Sequence, residues 1–286
     1  MQESRVLVCV DGSKYSKSAC EYGIFIAQSL ALPLVLLNVI EHSHISKKVD
    51  LSGNIGLGSK DTLLNELSLE EAKESKAMIA KGRTVLQELS AYAVEKGVSK
   101  VHTLQRHGTL EETLEELANE TRIAIIGLKG EDSQNEELSI GKHVETIIRM
   151  LNIPILLVNN DFQPINSILM AYDGSDFANK AIDVAAKNPI LKTATRHIVN
   201  VNKEREISKR LLNEAKNIFE KSNIQVQTVS LQAEDSVKAL LEYEETNNLD
   251  IIAMGAYSHN RLRSVIFGSF TSKMLQQSKK PLLLFR

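Results

Sequence analysis

The sequence predicts an α/β protein built as two tandem domains, each a five-stranded parallel sheet flanked by helices. Three observations carry that prediction. The chain repeats itself: Arg5-Val6-Leu7-Val8-Cys9-Val10-Asp11-Gly12-Ser13 returns as Ser167-Ile168-Leu169-Met170-Ala171-Tyr172-Asp173-Gly174-Ser175. Later in each half, Ile123-Ala124-Ile125-Ile126-Gly127 returns as Ile251-Ile252-Ala253-Met254-Gly255, which reads as one domain written twice. Short continuous apolar runs alternate with longer stretches of helical spacing, the pattern of parallel strands covered on both faces. Finally, 286 residues suit two domains that each have a core of their own.

The elements follow in order. Arg5 to Val10 is an apolar, β-branched strand, and Ser13 to Leu30 places apolar residues at helical spacing. Pro33 to Ile40 is a second buried strand. The polar stretch from Glu41 to about Asn65, with Gly53, Gly56 and Gly58, reads as a mobile loop. A long helix from about Glu66 to Glu95 precedes a strand near Lys100 to Gln105. Thr109 is placed to cap the next helix, with Glu112 three residues on. Ile123 to Gly127, a helix from about Gly141 to Leu151, and Ile153 to Val158 complete the half. Asn159 to Pro164 is a polar connector, so the domains are set at residues 1–159 and 166–286.

The second half has strands near Ser167 to Tyr172, His197 to Asn202, Gln225 to Leu231, Asp250 to Gly255 and Pro281 to Phe285. The offset between copies is 162 at Asp11 and Asp173 but 128 at Gly127 and Gly255, so the second copy lacks 34 residues. Most of these are assigned to the loop after the second strand, because Asn202 runs almost directly into a helix near Lys203.

Composition narrows the function. Apolar residues at 43% and charged residues at 24% suit a globular protein, and a net charge of −2 offers no basic field for a nucleic-acid backbone. No apolar run reaches membrane-spanning length, and Met1-Gln2-Glu3-Ser4 leads straight into a strand, so neither a membrane partner nor a signal peptide is expected. Cys9 and Cys20 read as small buried hydrophobes, consistent with a reducing, cytoplasmic setting.

In an open parallel sheet, ligands bind beyond the C-terminal ends of the strands. Asp11 and Asp173 close the opening strands, each before Gly-Ser; such an aspartate caps the next helix, or binds a ribose hydroxyl or a phosphate-held metal. Gly255 closes the fourth strand of the second copy, and Gly268-Ser269 opens a helix whose free N–H groups favour an anion. His259, Arg261 and Arg263 make the intervening loop basic. Val39 and Val201 end the second strands, where backbone groups can meet a flat base.

The pattern G-x2-G-x9-G-[S/T] after the fourth strand, combined with the strand-terminal Asp-Gly-Ser, resembles that of the universal stress protein family, twice over nearly the whole chain. The resemblance implies Rossmann-like, HUP-type domains and an ATP ligand, with or without Mg2+. It implies that the glycine-and-serine motif holds the phosphates, the aspartate lies near ribose and metal, and the second-strand valine lies beside adenine.

Each copy departs from the family pattern. Ser258 stands where the second copy's middle glycine belongs; a positive φ there costs serine about 1 kcal/mol or more relative to glycine, which its hydroxyl can offset at a phosphate oxygen. The first copy keeps Gly127 and Gly130, then has ten residues rather than nine before Gly141, with Lys142 in place of Ser/Thr. Glu131, Asp132, Glu136 and Glu137 bring like charge towards any polyphosphate there. The second copy is therefore the expected nucleotide site.

Other chemistries find less support. His42 and His44 have no nearby cysteine or third histidine to complete a zinc site. Glu70-Glu71, Glu111-Glu112 and Glu115-Glu116 read as solvated helix faces. There is no nucleophile elbow, Walker motif or dinucleotide fingerprint, and Ser13 and Ser175 are expected to serve helix starts. The expectation is a stress-response regulatory protein that binds adenine nucleotide and is not an enzyme. Two alternatives stand beside it: a nucleotide-independent scaffold recognising a protein or other small ligand, and an ATPase, with weak hydrolysis or self-phosphorylation as the resemblance implies. The last strands of the two copies are apolar sheet edges able to pair within one chain, and two chains can associate further as a homodimer.

Overall fold

The computed structural model describes residues 4–41, 57–128, 142–187, 190–256 and 269–286, the side chains of 57–71, 142 and 143 excepted. The first repeat runs β1 (Arg5–Cys9), α1 (Lys14–Leu30), β2 (Leu34–Ile40), α2 (Leu57–Glu95), β3 (Val101–His107), α3 (Leu110–Leu117), β4 (Thr121–Gly127), α4 (Lys142–Met150) and β5 (Ile155–Val158). The second runs β6 (Ser167–Ala171), α5 (Asp176–Lys187), β7 (Thr195–Val201), α6 (Arg205–Lys221), β8 (Gln227–Leu231), α7 (Ser236–Thr246), β9 (Ile251–Gly255), α8 (Ser269–Gln277) and β10 (Leu282–Phe285).

Local chemistry accounts for the boundaries. Helix α1 stops where Ala31 turns left-handed at φ 53°, two residues before Pro33. Thr109 caps α3 as expected: its hydroxyl oxygen accepts from the Glu112 N–H at 3.3 Å and donates to the Glu112 carboxylate at 2.8 Å. Val6, Leu7 and Val8 of β1 are all buried, as an apolar run without alternation requires when helices cover both faces.

All strands within a repeat are parallel, and the ten form one sheet in the order β3-β2-β1-β4-β5-β10-β9-β6-β7-β8. The two halves meet at the antiparallel pair β5–β10, with Leu157 opposite Leu282, Leu156 opposite Leu283 and Ile155 opposite Leu284. The apolar final strands thus satisfy each other inside the chain, and each repeat loses one exposed edge. On one face a single cluster contains Val8, Leu36 and Ile125 with residues of α1, α2, α5 and α6; on the other, a second contains Leu7, Leu37 and Ile126 with residues of α3, α4, α7 and α8. The connector is anchored: Phe162 stands edge-on to Tyr22 at 4.9 Å, and the Asn159 amide donates to the Ser278 carbonyl at 2.7 Å.

Two expectations need correction. Residues 57–65 are helix, the first turns of a 39-residue α2, where a loop was expected. A helix extends cheaply once nucleated, and past Gly58 nothing in the sequence stops α2 from growing back from Glu66. The remainder of the expected loop, 42–56, with Gly53 and Gly56, lies outside the described residues, as do His42 and His44.

The missing residues are also placed differently. A Cβ on Gly12 would meet Val85 of α2, and one on Gly174 would meet Leu211 of α6, which aligns the two helices at an offset of 126. The α6 start at Arg205 then corresponds to residue 79, so much of the extra length is α2 itself, residues 57–78, rather than loop. At 1.5 Å per residue that overhang is about 33 Å long.

Candidate functional site

In the second repeat, the expected residues Asp173, Val201 and Gly255 come together beyond the ends of β6, β7 and β9, around a cavity of about 300 Å³. That volume lies at the lower end of the range for small-molecule sites. The turn after β6 is built from backbone-directed bonds. The Ser175 N–H donates to Asp173 Oδ1 at 2.9 Å, Gly174 adopts φ 76°, and Ser175 Oγ accepts from the Ala178 N–H at 3.2 Å to cap α5. The Tyr172 hydroxyl donates to Asn179 Oδ1 at 2.6 Å, and the Asn179 amide donates to the Gly174 carbonyl at 3.2 Å. Burial first, and then the nearby Glu214 and Asp173 carboxylates, push the Tyr172 phenol above its ordinary value, so it stays a neutral donor. Asp173 remains exposed at the rim.

Gly255 has a structural duty that its strand-end position alone did not reveal. A Cβ there would lie 3.1 Å from the Phe177 carbonyl carbon and 3.3 Å from the Ala178 nitrogen, both backbone of the first turn of α5. The glycine therefore lets the start of α5 close over the end of β9. Beyond it, the Ala256 N–H donates to the Phe285 carbonyl at 2.7 Å and Thr271 Oγ1 donates to the Ala256 carbonyl at 3.3 Å, tying the start of α8 to the strand ends.

Ser269 opens α8 and is exposed, beside the cavity-lining Phe270 and Thr271. Ser258 and Gly268 lie outside the described residues, as do His259, Arg261 and Arg263. The remaining walls were missed: Ser236 and Leu240 of α7 and Phe270 of α8 close the cavity from the side. No motif marks them. The available signal was Asp235, whose carboxylate accepts from the N–H groups of Val237 at 3.0 Å and Lys238 at 3.1 Å and starts α7 at the cavity rim.

The first repeat places Asp11, Val39 and Gly127 at the adjoining ends of β1, β2 and β4 in the same way. Lys142 begins α4, while Gly130, Gly141 and the acidic loop lie outside the described residues. Here the turn is closed by another serine. Asp11 Oδ1 accepts from the Ser13 N–H and the Ser16 hydroxyl, both at 2.9 Å, and Ser16 Oγ accepts from the N–H groups of Asp11 and Gly12 at 3.0 Å. Ser13 makes no side-chain capping bond, contrary to expectation, and Ser16 instead closes the turn before α1, while Ser175 caps α5 in the second repeat.

Helix α2 also sits close over this turn: a Cβ on Gly12 would lie 3.3 Å from Val85 Cγ2 and 3.5 Å from Lys81 Cε. The Glu41 carboxylate accepts from the Leu110 N–H at 3.1 Å, placing a protein anion at the start of α3. The corresponding residue in the second repeat, Lys203, pairs with Glu234 at 2.8 Å. Both repeats thus hold a carboxylate at this helix start, Glu41 at α3 and Asp235 at α7.

Elsewhere, burial raises the Cys20 thiol to about 12, and burial with the neighbouring Asp11 does the same for Cys9, so both stay protonated. Among the described residues no group of three or more His, Cys, Asp or Glu is arranged to hold a metal, and no helix is long and apolar enough to cross a membrane.

A sequence model of the universal stress protein family matches residues 3–159 and again 164–286. The chain is similar to universal stress protein Slr1230 of Synechocystis sp., 30% identical over 285 residues, which covers 98% of this chain and 99% of that one. Among solved structures, a universal stress protein from Archaeoglobus fulgidus superposes on 100% of this chain and 99% of its own, with TM-score 0.72 at 19% identity. Another from that organism, solved in complex with dAMP, covers 43% of this chain and 98% of its own, with TM-score 0.35 at 16% identity.

Proposed function

The chain belongs to the universal stress protein family in its tandem form, and from that premise we propose that it is a regulatory protein whose second repeat binds an adenine nucleotide, ATP with Mg2+. The observation that carries the reading is the cavity between β6, β7, β9, α7 and α8, with Asp173, Val201 and Gly255 on its walls. Val201, Leu240 and Met254 offer an apolar slot for the base, and Asp173 presents a carboxylate at the rim for ribose or for a metal carried by the phosphates. The start of α8 at Ser269 lies where the phosphates would end, so its first-turn N–H groups and dipole favour them.

The first repeat is the weaker site on this reading. Its motif carries Lys142 in place of a serine or threonine, and Glu131, Asp132, Glu136 and Glu137 between Gly130 and Gly141 bring like charge towards a polyphosphate. The protein acts by binding rather than turnover. Asp173 is the carboxylate on the described cavity wall, and its Oδ1 is engaged with the Ser175 N–H, which suits ligand placement better than proton abstraction. Nucleotide then regulates only by binding one conformation or assembly better than another.

Calorimetric titration with Mg-ATP tests the proposal. One site is expected, lost when Gly268 and Ser269 are replaced by bulky acidic residues and kept when Gly127 is changed. No heat at millimolar nucleotide would favour the scaffold reading, and phosphate release at saturating ATP would favour an ATPase.

A further inference from the structure

Behind the nucleotide cavity the two repeats solve the same burial problem with different residues. In the first, the Asn38 amide donates to the Val10 carbonyl at 2.9 Å, while Asn38 Oδ1 accepts from the Gln105 amide at 3.2 Å. Gln105 also donates to the Ile79 carbonyl of α2 at 3.1 Å, tying the sheet to the helix. Gly82 makes room for this pair: a Cβ there would overlap the Asn38 oxygen and lie 2.6 Å from Gln105 Nε2.

The second repeat keeps half of the arrangement. The Asn200 amide donates to the Tyr172 carbonyl at 2.7 Å, as Asn38 does to Val10. Ser230 stands beside Asn200 in the strand register, where Gln105 stands beside Asn38. Ser208 takes the place of Gly82 at the helix offset of 126. It lies on the buried stripe of α6 with Leu212, Ala215 and Phe219. Asn200 and Ser208 are sealed from solvent, at 2% and 0% exposure. Asn200 Oδ1, Ser208 Oγ and Ser230 Oγ are buried and find no hydrogen-bond partner among the described residues.

Three orphaned polar atoms at positions equivalent to the bonded Asn38, Gln105 and Gly82 group are rare, because each gives up its hydration for nothing. We infer that one internal water molecule joins Asn200 Oδ1, Ser208 Oγ and Ser230 Oγ, replacing the Gln105 amide of the first repeat. The volumes agree. Glutamine has three more side-chain heavy atoms than serine, and serine has two more than glycine, so the exchange leaves space for a single heavy atom. The polarity agrees as well. The water donates to the amide oxygen, which can only accept, and exchanges hydrogen bonds with two hydroxyls that rotate to suit, giving three partners, the usual number for a buried water. The three groups are neutral, which suits water better than an ion. The bridge links α6 to β7 and β8, and through Asn200 it backs the Tyr172 carbonyl in the cavity wall.

The test is a high-resolution crystal structure of the full chain together with water-proton magnetic relaxation dispersion, for wild type and for the variants S230Q and S208G/S230Q. Wild type should show one fully occupied water within hydrogen-bonding distance of all three atoms. The double variant should lose it, along with one slowly exchanging water in solution, and its introduced glutamine amide should bond directly to Asn200. S230Q alone should melt below both, because its longer side chain meets Ser208. An empty site, hydroxyls bonded only to one another, or unchanged relaxation in the double variant would overturn the inference. None of these readouts involves nucleotide.

Discussion

Gly255→Ala is the most informative single substitution, because the added methyl meets backbone rather than a side chain that can rotate away. Its carbon would sit 3.1 Å from the Phe177 carbonyl carbon, 3.2 Å from that carbonyl oxygen and 3.3 Å from the Ala178 nitrogen. These atoms cannot yield independently. The Ala178 N–H is held by Ser175 Oγ at 3.2 Å, and the Ser175 N–H by Asp173 at 2.9 Å, so relief requires α5 to tilt and carry the Asp173 turn with it. Overpacking of this kind costs about 1–3 kcal/mol. Urea unfolding followed by far-UV circular dichroism should report that loss. Nucleotide titration of the folded variant should show weakened binding, because Asp173 and Gly255 share the cavity wall. A urea midpoint equal to wild type would refute the reasoning, since α5 would then move freely over β9.

Three further outcomes are expected. Phe219→Ala removes a ring with 0% exposure beneath α6 and should cost about 3–5 kcal/mol in the same unfolding assay; a loss below about 1 kcal/mol would mean the site collapses to fill the space. Leu283→Asp puts a charge into the β5–β10 seam opposite Leu156, so calorimetry should show the single transition splitting or the chain associating through freed edges, and an unchanged trace would mean the seam is dispensable. Burial raises the Glu244 carboxyl above its ordinary value, with Lys280 at 3.7 Å pulling the other way. The folded state therefore keeps this proton to higher pH than the unfolded chain, and its contribution falls as pH rises from the unfolded value through the raised one. Glu244→Gln should remove that fall and gain on wild type above the window, whereas parallel stability curves across pH would count against a raised value.

Much of this protein is legible in its sequence because the governing interactions are local. Continuous apolar runs specify strands buried on both faces, and the duplicated Asp-Gly-Ser marks a tight turn into a helix in each repeat. Asp173, Val201 and Gly255 could be placed at one cavity because ligand sites in parallel sheets form beyond the strand ends. The start of α2 escapes such a reading because helix growth depends on an already formed neighbour, which here carries the helix through Gly58.

What the sequence determined alone, then, was the α/β class, the duplication, the strand-end candidates and the capacity of two apolar edges to pair. The tertiary structure decided which hydroxyl serves each turn, Ser16 in one repeat and Ser175 in the other, and that α7 and α8 wall the cavity with Leu240 and Phe270. It also decided that Gly255 yields to a helix, and that the Asn38 oxygen is bonded by Gln105 while the Asn200 oxygen finds no partner among the described residues. The physical reason is one of range. Periodicity and turn chemistry act over a few neighbouring residues, whereas close packing and the satisfaction of buried polar atoms depend on partners 20 to more than 100 residues away, as Gln105 to Ile79 and Asn159 to Ser278 show.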